Sequence, residues 1–148
     1  MKKVLSLIFA TLLLVSLVGC SSEAVKIEGY EWKLTLIQLN KDGSIIGCGT
    51  AHYEAHKEIE NIIVVDLVCS AENGKFTITD KTNNTSYSGN YEIDYESGES
   101  TIYSITTTSN TGTAVSSITK SDYGFGKTEK TPTLIITIGD YALNFQAK

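Results

Sequence analysis

The chain has 148 residues, of which 41% are hydrophobic and 20% are charged, and its formal net charge is −5 at pH 7. A chain of this length holds one domain with a hydrophobic core, and is too short for two. All 12 basic residues are lysines, against 17 acidic ones. Nucleic acid is therefore excluded as an expected partner, because neutralising phosphates requires a basic surface.

The first 19 residues have the pattern of a secretory signal peptide. Lys2 and Lys3 precede an apolar run over residues 4–18, and the small residue Gly19 follows. The run falls short of the roughly 20 apolar residues that span a bilayer. We predict that residues 1–19 are cleaved on export.

Leu17-Val18-Gly19-Cys20 resembles the lipobox of bacterial lipoproteins. The resemblance implies that Cys20 is acylated, with palmitate or a similar chain, and becomes the first residue of a membrane-attached protein outside the cytoplasm. The alternative is an ordinary secreted protein with a chance cysteine at the cleavage site. The mature chain would carry a charge of 10 − 17 = −7, so acyl chains and not charge would hold it to an anionic membrane.

We expect residues 20–28 to be the lipidated cysteine and a short tether, and residues 29–148 to form the folded domain. Cys48 and Cys69 remain in an exported setting, where disulfides persist. A turn centred near Glu58 would place them opposite each other on antiparallel strands, and we predict that they pair. Two separately buried thiols are the alternative.

The folded part reads as strands separated by polar turns about every ten residues, which is typical of an all-β sandwich or barrel. The predicted strands cover residues 31–40, 44–51, 61–70, 75–80, 85–94, 100–109, 112–120, 132–139 and 141–146. Neighbouring antiparallel strands joined by short turns predict a single up-and-down barrel of eight or nine strands.

Two hairpin registers follow from the requirement that apolar residues share a face. A two-residue turn at Gly139-Asp140 places Leu134 opposite Phe145 and Ile136 opposite Leu143. A turn at Asn83-Asn84 places Phe76 opposite Tyr91, Ile78 opposite Gly89 and Asp80 opposite Tyr87.

Gly29-Tyr30-Glu31-Trp32-Lys33-Leu34 is similar to the opening of the lipocalin-like (calycin-type) domains of small bacterial lipoproteins. The stretch 71–78, followed by 87–91 with its Gly-x-Tyr ending, is similar to their middle. The resemblance implies an antiparallel barrel with Trp32 against a closed base, and no catalytic group.

Residues that could carry catalysis or bind a metal are few. His52 and His56 could share a metal only on a helix, and a solvated loop is the preferred interpretation. The acidic stretch from Glu92 to Glu99 reads as a solvated turn. Since the chain lacks a Gly-x-Ser-x-Gly elbow and a phosphate-binding glycine loop, we expect no enzymatic activity, no metal site and no cofactor.

The predicted registers point Tyr87, Tyr91 and Tyr141 into the barrel, where a ring can pack while its hydroxyl meets a ligand. We therefore expect a small apolar or amphipathic ligand in or at the mouth of the barrel. The alternative is a protein-interaction or envelope-support module whose core is solid. An empty cleft of several hundred Å³ would favour the first interpretation.

Overall fold

The structure is a computed structural model that describes residues 24–122, 124 and 126–148. The predicted signal peptide and Cys20 lie outside the described residues. Ten strands make up most of the fold, and a short 3₁₀ turn (Thr50–His52) and one helical turn, α1 (Tyr53–His56), separate the second strand from the third. The strands are β1 Trp32–Leu39, β2 Ile45–Gly49, β3 Ile63–Val65, β4 Leu67–Glu72, β5 Lys75–Asp80, β6 Thr85–Ser97, β7 Ser100–Thr107, β8 Thr111–Asp122, β9 Thr128–Ile138 and β10 Tyr141–Ala147.

Eight of these strands close into an antiparallel barrel. From β4 to β10 each strand pairs with the next one along the chain, and β1 closes the ring by pairing with both β10 and β4. The predicted all-β, up-and-down barrel is confirmed. Because β1 pairs with both β10 and β4, the ring of eight strands is closed and encloses the core.

The two remaining strands, β2 and β3, extend the sheet beside β1. The predicted single strand 61–70 is divided at Asp66 into β3 and β4. β4 pairs with β1 at Trp32 and Lys33, whereas β2 takes the same edge of β1 further along, at Leu36–Gln38. β3 then pairs with β2 in parallel. We call the end at Trp32 the base and the end at the Gly139-Asp140 turn the mouth.

The hairpin formed by β9 and β10 has the predicted register. Leu134 lies opposite Phe145, Ile136 opposite Leu143 and Ile138 opposite Tyr141. Leu134, Ile136 and Phe145 are buried, while Tyr141 at the turn is exposed. The apolar face therefore points inward, and its exposure increases towards the mouth.

The register predicted for the β5–β6 hairpin is wrong by two residues. Phe76 lies opposite Gly89, Ile78 opposite Tyr87 and Asp80 opposite Thr85. The turn is longer because the Asp80 carboxylate accepts hydrogen bonds from the backbone N–H groups of Thr82 (2.8 Å) and Asn83 (3.1 Å). A shift of two keeps every side chain on its predicted face.

Gly89 explains why this register is tolerated opposite a large ring. A Cβ at Gly89 would lie 2.6 Å from Cε1 of Phe76 and 2.6 Å from the backbone oxygen of Thr106. Phe76 therefore occupies the space that a side chain at position 89 would need, as glycine permits in curved sheets.

The base is closed by residues 25–28, a segment that the sequence predicts to belong to the tether. Val25 and Ile27 are buried in the core, so the folded part begins before residue 29. The Val25 carbonyl accepts hydrogen bonds from Thr101 Oγ1 (2.9 Å) and Ser116 Oγ (2.5 Å). The Ile27 N–H donates to the Tyr103 hydroxyl at 2.8 Å. These contacts satisfy polar groups that the barrel interior would otherwise leave unpaired. We call residues 25–28 the base plug.

Candidate functional site

A cavity of about 740 Å³ opens at the mouth of the barrel. Its floor is apolar, and the floor residues Phe76, Ile78 and Ile136 are all at least nine-tenths buried. Leu67 and Leu143 line the cavity above them. The volume is within the range of about 300–1,000 Å³ that is typical of small-molecule sites.

Hydroxyl and amide groups surround the cavity where it meets solvent. They come from the start of β6, the turn between β7 and β8, and the turn between β9 and β10. The polar lining residues are Ser86, Tyr87, Ser88, Thr107, Thr108, Ser109, Asn110, Asp140 and Tyr141. Of these, Ser86 and Ser88 turn their hydroxyls to Thr79 and Thr77, on the other face of the sheet. An apolar floor beneath a polar rim is complementary to a molecule with one apolar end and one polar end.

Two of the three predicted tyrosines lie at this rim. Tyr87 stands beyond the end of the neighbouring strand, since β7 ends at Thr107, opposite Gly89. Its side chain is 65% exposed, and that of Tyr141 is 47% exposed. Both rings line the cavity.

Tyr91, the third predicted tyrosine, lies at the base and does not line the cavity. Its hydroxyl donates a hydrogen bond to the Glu28 carboxylate, and its ring meets Tyr103 edge-on at 5.5 Å. Burial, and then the bond to Glu28, raise the pKa of Tyr91 to about 12. The same bond lowers the pKa of Glu28. Tyr91 therefore fastens the base plug to the barrel wall.

The base is filled where the mouth is empty. Trp32 is fully buried, and its indole Nε1–H donates to the Ile27 carbonyl at 2.7 Å. The residues that fill this half are Val25, Ile27, Trp32, Tyr91, Tyr103, Ala114, Leu134 and Phe145. The barrel thus combines a solid half with an open half, where the sequence had offered these as alternatives.

The predicted Cys48–Cys69 disulfide is not formed, and both cysteines are free and buried. The antiparallel pairing behind that prediction is wrong: Cys48 lies opposite Leu36 on β1, and Cys69 lies opposite Trp32. Positions four residues apart on one strand are about 13 Å apart, and a disulfide needs Cα atoms within about 4.4–6.8 Å. Burial raises the pKa of Cys69 to about 12 and raises that of Cys48, which disfavours the thiolate form of both.

The structure also places the other residues that the sequence singled out. His52 and His56 lie on the 3₁₀ turn and α1, a helical stretch of about two turns, where we had preferred a loop. The part of the chain that the structure describes contains no group of three or more His, Cys, Asp or Glu side chains placed to hold a metal. Glu99 pairs with Lys120 at 2.9 Å, which lowers the pKa of Glu99.

Sequence reasoning missed the turn at Thr107–Asn110 and Asp140 as cavity residues, and Val25 and Ile27 as core. The base plug had a signal, because Val25-Lys26-Ile27-Glu28 alternates apolar and charged residues. The mouth turns had only a run of small polar residues, which is typical of any loop.

Within the described residues no helix is long and apolar enough to cross a membrane. Comparison of the chain with family models, curated proteins and solved structures finds no match.

Proposed function

We propose that this protein is a membrane-anchored extracytoplasmic lipoprotein that binds a small apolar or amphipathic molecule at the mouth of its barrel and has no chemistry of its own. The observation that carries the proposal is the cavity of about 740 Å³ with its buried apolar floor and hydroxyl rim. The barrel with Trp32 at a closed base agrees with the lipocalin-like resemblance of the sequence. Lipid attachment rests on the lipobox pattern around Cys20.

The position of the base plug bears on how such an anchor would hold the barrel. Val25 is fixed at the base by Thr101 and Ser116. Five residue steps separate Val25 from Cys20, and an extended chain of that length reaches at most about 18 Å. The base would therefore face the membrane and the mouth would face away from it, so that ligand enters from the aqueous side.

Binding is tested with the uncharged fluorophore N-phenyl-1-naphthylamine and a chain of residues 20–148 carrying Cys20→Ser. We expect its fluorescence to rise on binding, and Ile138→Trp, at the cavity wall, to weaken binding by about tenfold or more. The matched control is Ile135→Trp on the same strand, whose side chain is exposed on the outer wall. No fluorescence gain with the unsubstituted barrel, or equal binding by both variants, would contradict the proposal.

Lipid attachment is tested by growing cells with labelled palmitate. We expect label on the wild-type protein and none on Cys20→Ala. Cys48→Ala is the control, because its thiol is buried in the fold and should not be acylated. Label on Cys20→Ala would end the lipoprotein assignment while leaving the cavity proposal standing.

The orientation is tested with fluorophores attached at Asp140→Cys, in the mouth turn, or at Ser97→Cys, near the base turn between β6 and β7. The native cysteines are buried and should not react. In vesicles containing quencher-labelled lipid, we expect quenching of the label at residue 97 and little at residue 140. The reverse pattern would show that the mouth faces the bilayer.

One feature favours the alternative of a protein-interaction module. Tyr95, Ile102, Val115 and Ile135 pair in sequence across β6, β7, β8 and β9, forming an apolar row on the outer wall. Tyr95 is 60% exposed and Ile135 is 40% exposed. A photo-crosslinker at Ile102 that captures one discrete partner in cells, when the same group at the exposed Ser104 captures none, would favour this function.

A further inference from the structure

The mouth cavity is polar at its rim without offering a positive charge. Among the described residues that line it there is no lysine or histidine, and its single carboxylate is Asp140. The other rim groups are hydroxyls and amides, each able to donate and to accept hydrogen bonds. Asp140 is thus the only charged residue among the described residues that line the cavity, and its charge is negative.

This distribution discriminates between ligand headgroups. A carboxylate or phosphate that enters the rim gives up water and gains no opposite charge, and it approaches the Asp140 carboxylate. A headgroup with hydroxyls loses less on leaving water and can exchange hydrogen bonds with the lining residues Tyr87, Tyr141 and Thr108, which come from three different strands and turns.

The depth of the cavity fixes which end of the ligand meets these groups. Phe76, Ile78 and Ile136 form a floor that only an apolar segment can cover favourably. Tyr87 and Tyr141 stand exposed at the opening. A ligand with its apolar end on the floor therefore places its polar end among the rim hydroxyls.

We infer that the ligand of this cavity is an uncharged amphiphile with a hydroxyl-bearing headgroup, and that anionic amphiphiles such as fatty acids are rejected. The inference rests on the proposed function, since it specifies the ligand of the same site.

The test compares two ligands that share one acyl chain, monolaurin with its glycerol headgroup and laurate with its carboxylate. Calorimetric titration at pH 8, below the critical micelle concentrations, uses the barrel of residues 20–148 carrying Cys20→Ser. We expect monolaurin to bind about tenfold or more tightly than laurate. Equal or tighter binding of laurate would overturn the inference and leave ligand binding intact, whereas binding of neither would overturn both.

A charge reversal at the rim sharpens the test. Asp140→Lys supplies the missing positive charge, and we expect it to strengthen laurate binding about fivefold or more while monolaurin changes less than about twofold. Glu60→Lys changes the net charge equally at an exposed residue that does not line the cavity. If Glu60→Lys strengthens laurate binding as much as Asp140→Lys does, the discrimination comes from the whole protein field and the inference is wrong.

Discussion

The two ends of this barrel are built from the same alternating strands and differ in what lies across them. At the base, residues 25–28 cross the opening and place Ile27 and Trp32 in full burial. At the mouth no described segment crosses the opening, and Tyr87 and Tyr141 stand exposed around a cavity of about 740 Å³. Pairing of the strands around the ring forms the barrel, and one short segment then determines which half is filled core and which half holds the cavity.

The largest expected effect is at the base plug. Ile27→Ala removes a side chain that is only 1% exposed, and we expect it to lower the free energy of unfolding by about 2–5 kcal/mol. The neighbouring Lys26→Ala is the control, because its ion pair with Glu96 is exposed and should change stability by less than about 1 kcal/mol. If Ile27→Ala lowers the free energy of unfolding in urea by no more than Lys26→Ala does, residues 25–28 are a tether and not part of the core.

A smaller loss of unfolding free energy is expected when the hydrogen bond that joins the base plug to β1 is removed. Trp32→Phe keeps an aromatic ring but removes the indole N–H that donates to the Ile27 carbonyl. The buried carbonyl is left without this partner, and we expect a loss of about 1–3 kcal/mol in urea unfolding. A variant as stable as wild type would mean that the bond contributes nothing to closing the base.

Alkaline pH should weaken the base through two buried acids. Burial raises the pKa of Cys69 from 9.0 to about 12 and that of Tyr91 from 10.0 to about 12. Both raised values favour the protonated, folded form, so their contribution is complete below about pH 9 and is lost as pH rises towards 12. We expect the free energy of unfolding to fall over that range.

The matched variants Cys69→Ala and Tyr91→Phe should each flatten this fall, because each removes one of the two titrating groups. A profile that stays flat to pH 12 in the wild-type protein would contradict the burial of these two groups.

The smallest effect on stability is expected at the mouth. Tyr87 is 65% exposed, and we expect Tyr87→Ala to change the free energy of unfolding by no more than about 0.5 kcal/mol. Binding of N-phenyl-1-naphthylamine should weaken in the same variant, since the ring lines the cavity. A large loss of stability would place the mouth within the core and remove the contrast between the two ends.

Sequence reasoning was accurate where it depended on local pattern. The strand periodicity predicted the β class and the β9–β10 register, because a two-residue turn leaves only one pairing that puts Leu134 and Phe145 on one face. It failed at the β5–β6 turn, where the side chain of Asp80 holds a longer loop. It also failed for Cys48 and Cys69, because that prediction assumed two antiparallel strands joined by a turn. A helical segment lies between β2 and β3, and these two strands pair in parallel.

The candidate site was predicted in part. Alternation placed Tyr87 and Tyr141 on the inner face, but it could not place them along the barrel axis, and Tyr91 on the same face belongs to the base. The rim residues Thr107–Asn110 gave no signal, because a turn of small polar residues has the same composition whether it faces a cavity or bulk solvent.

By itself the sequence determined that inward and outward side chains alternate, since a period of two follows from strand geometry alone. Only the tertiary structure decided that Val25 and Ile27 close one end, that β2 and β4 both pair with β1, and that the cysteines lie apart. Each of these depends on which distant segments meet, and that choice is made by the packing of the whole barrel and not by any local run of residues.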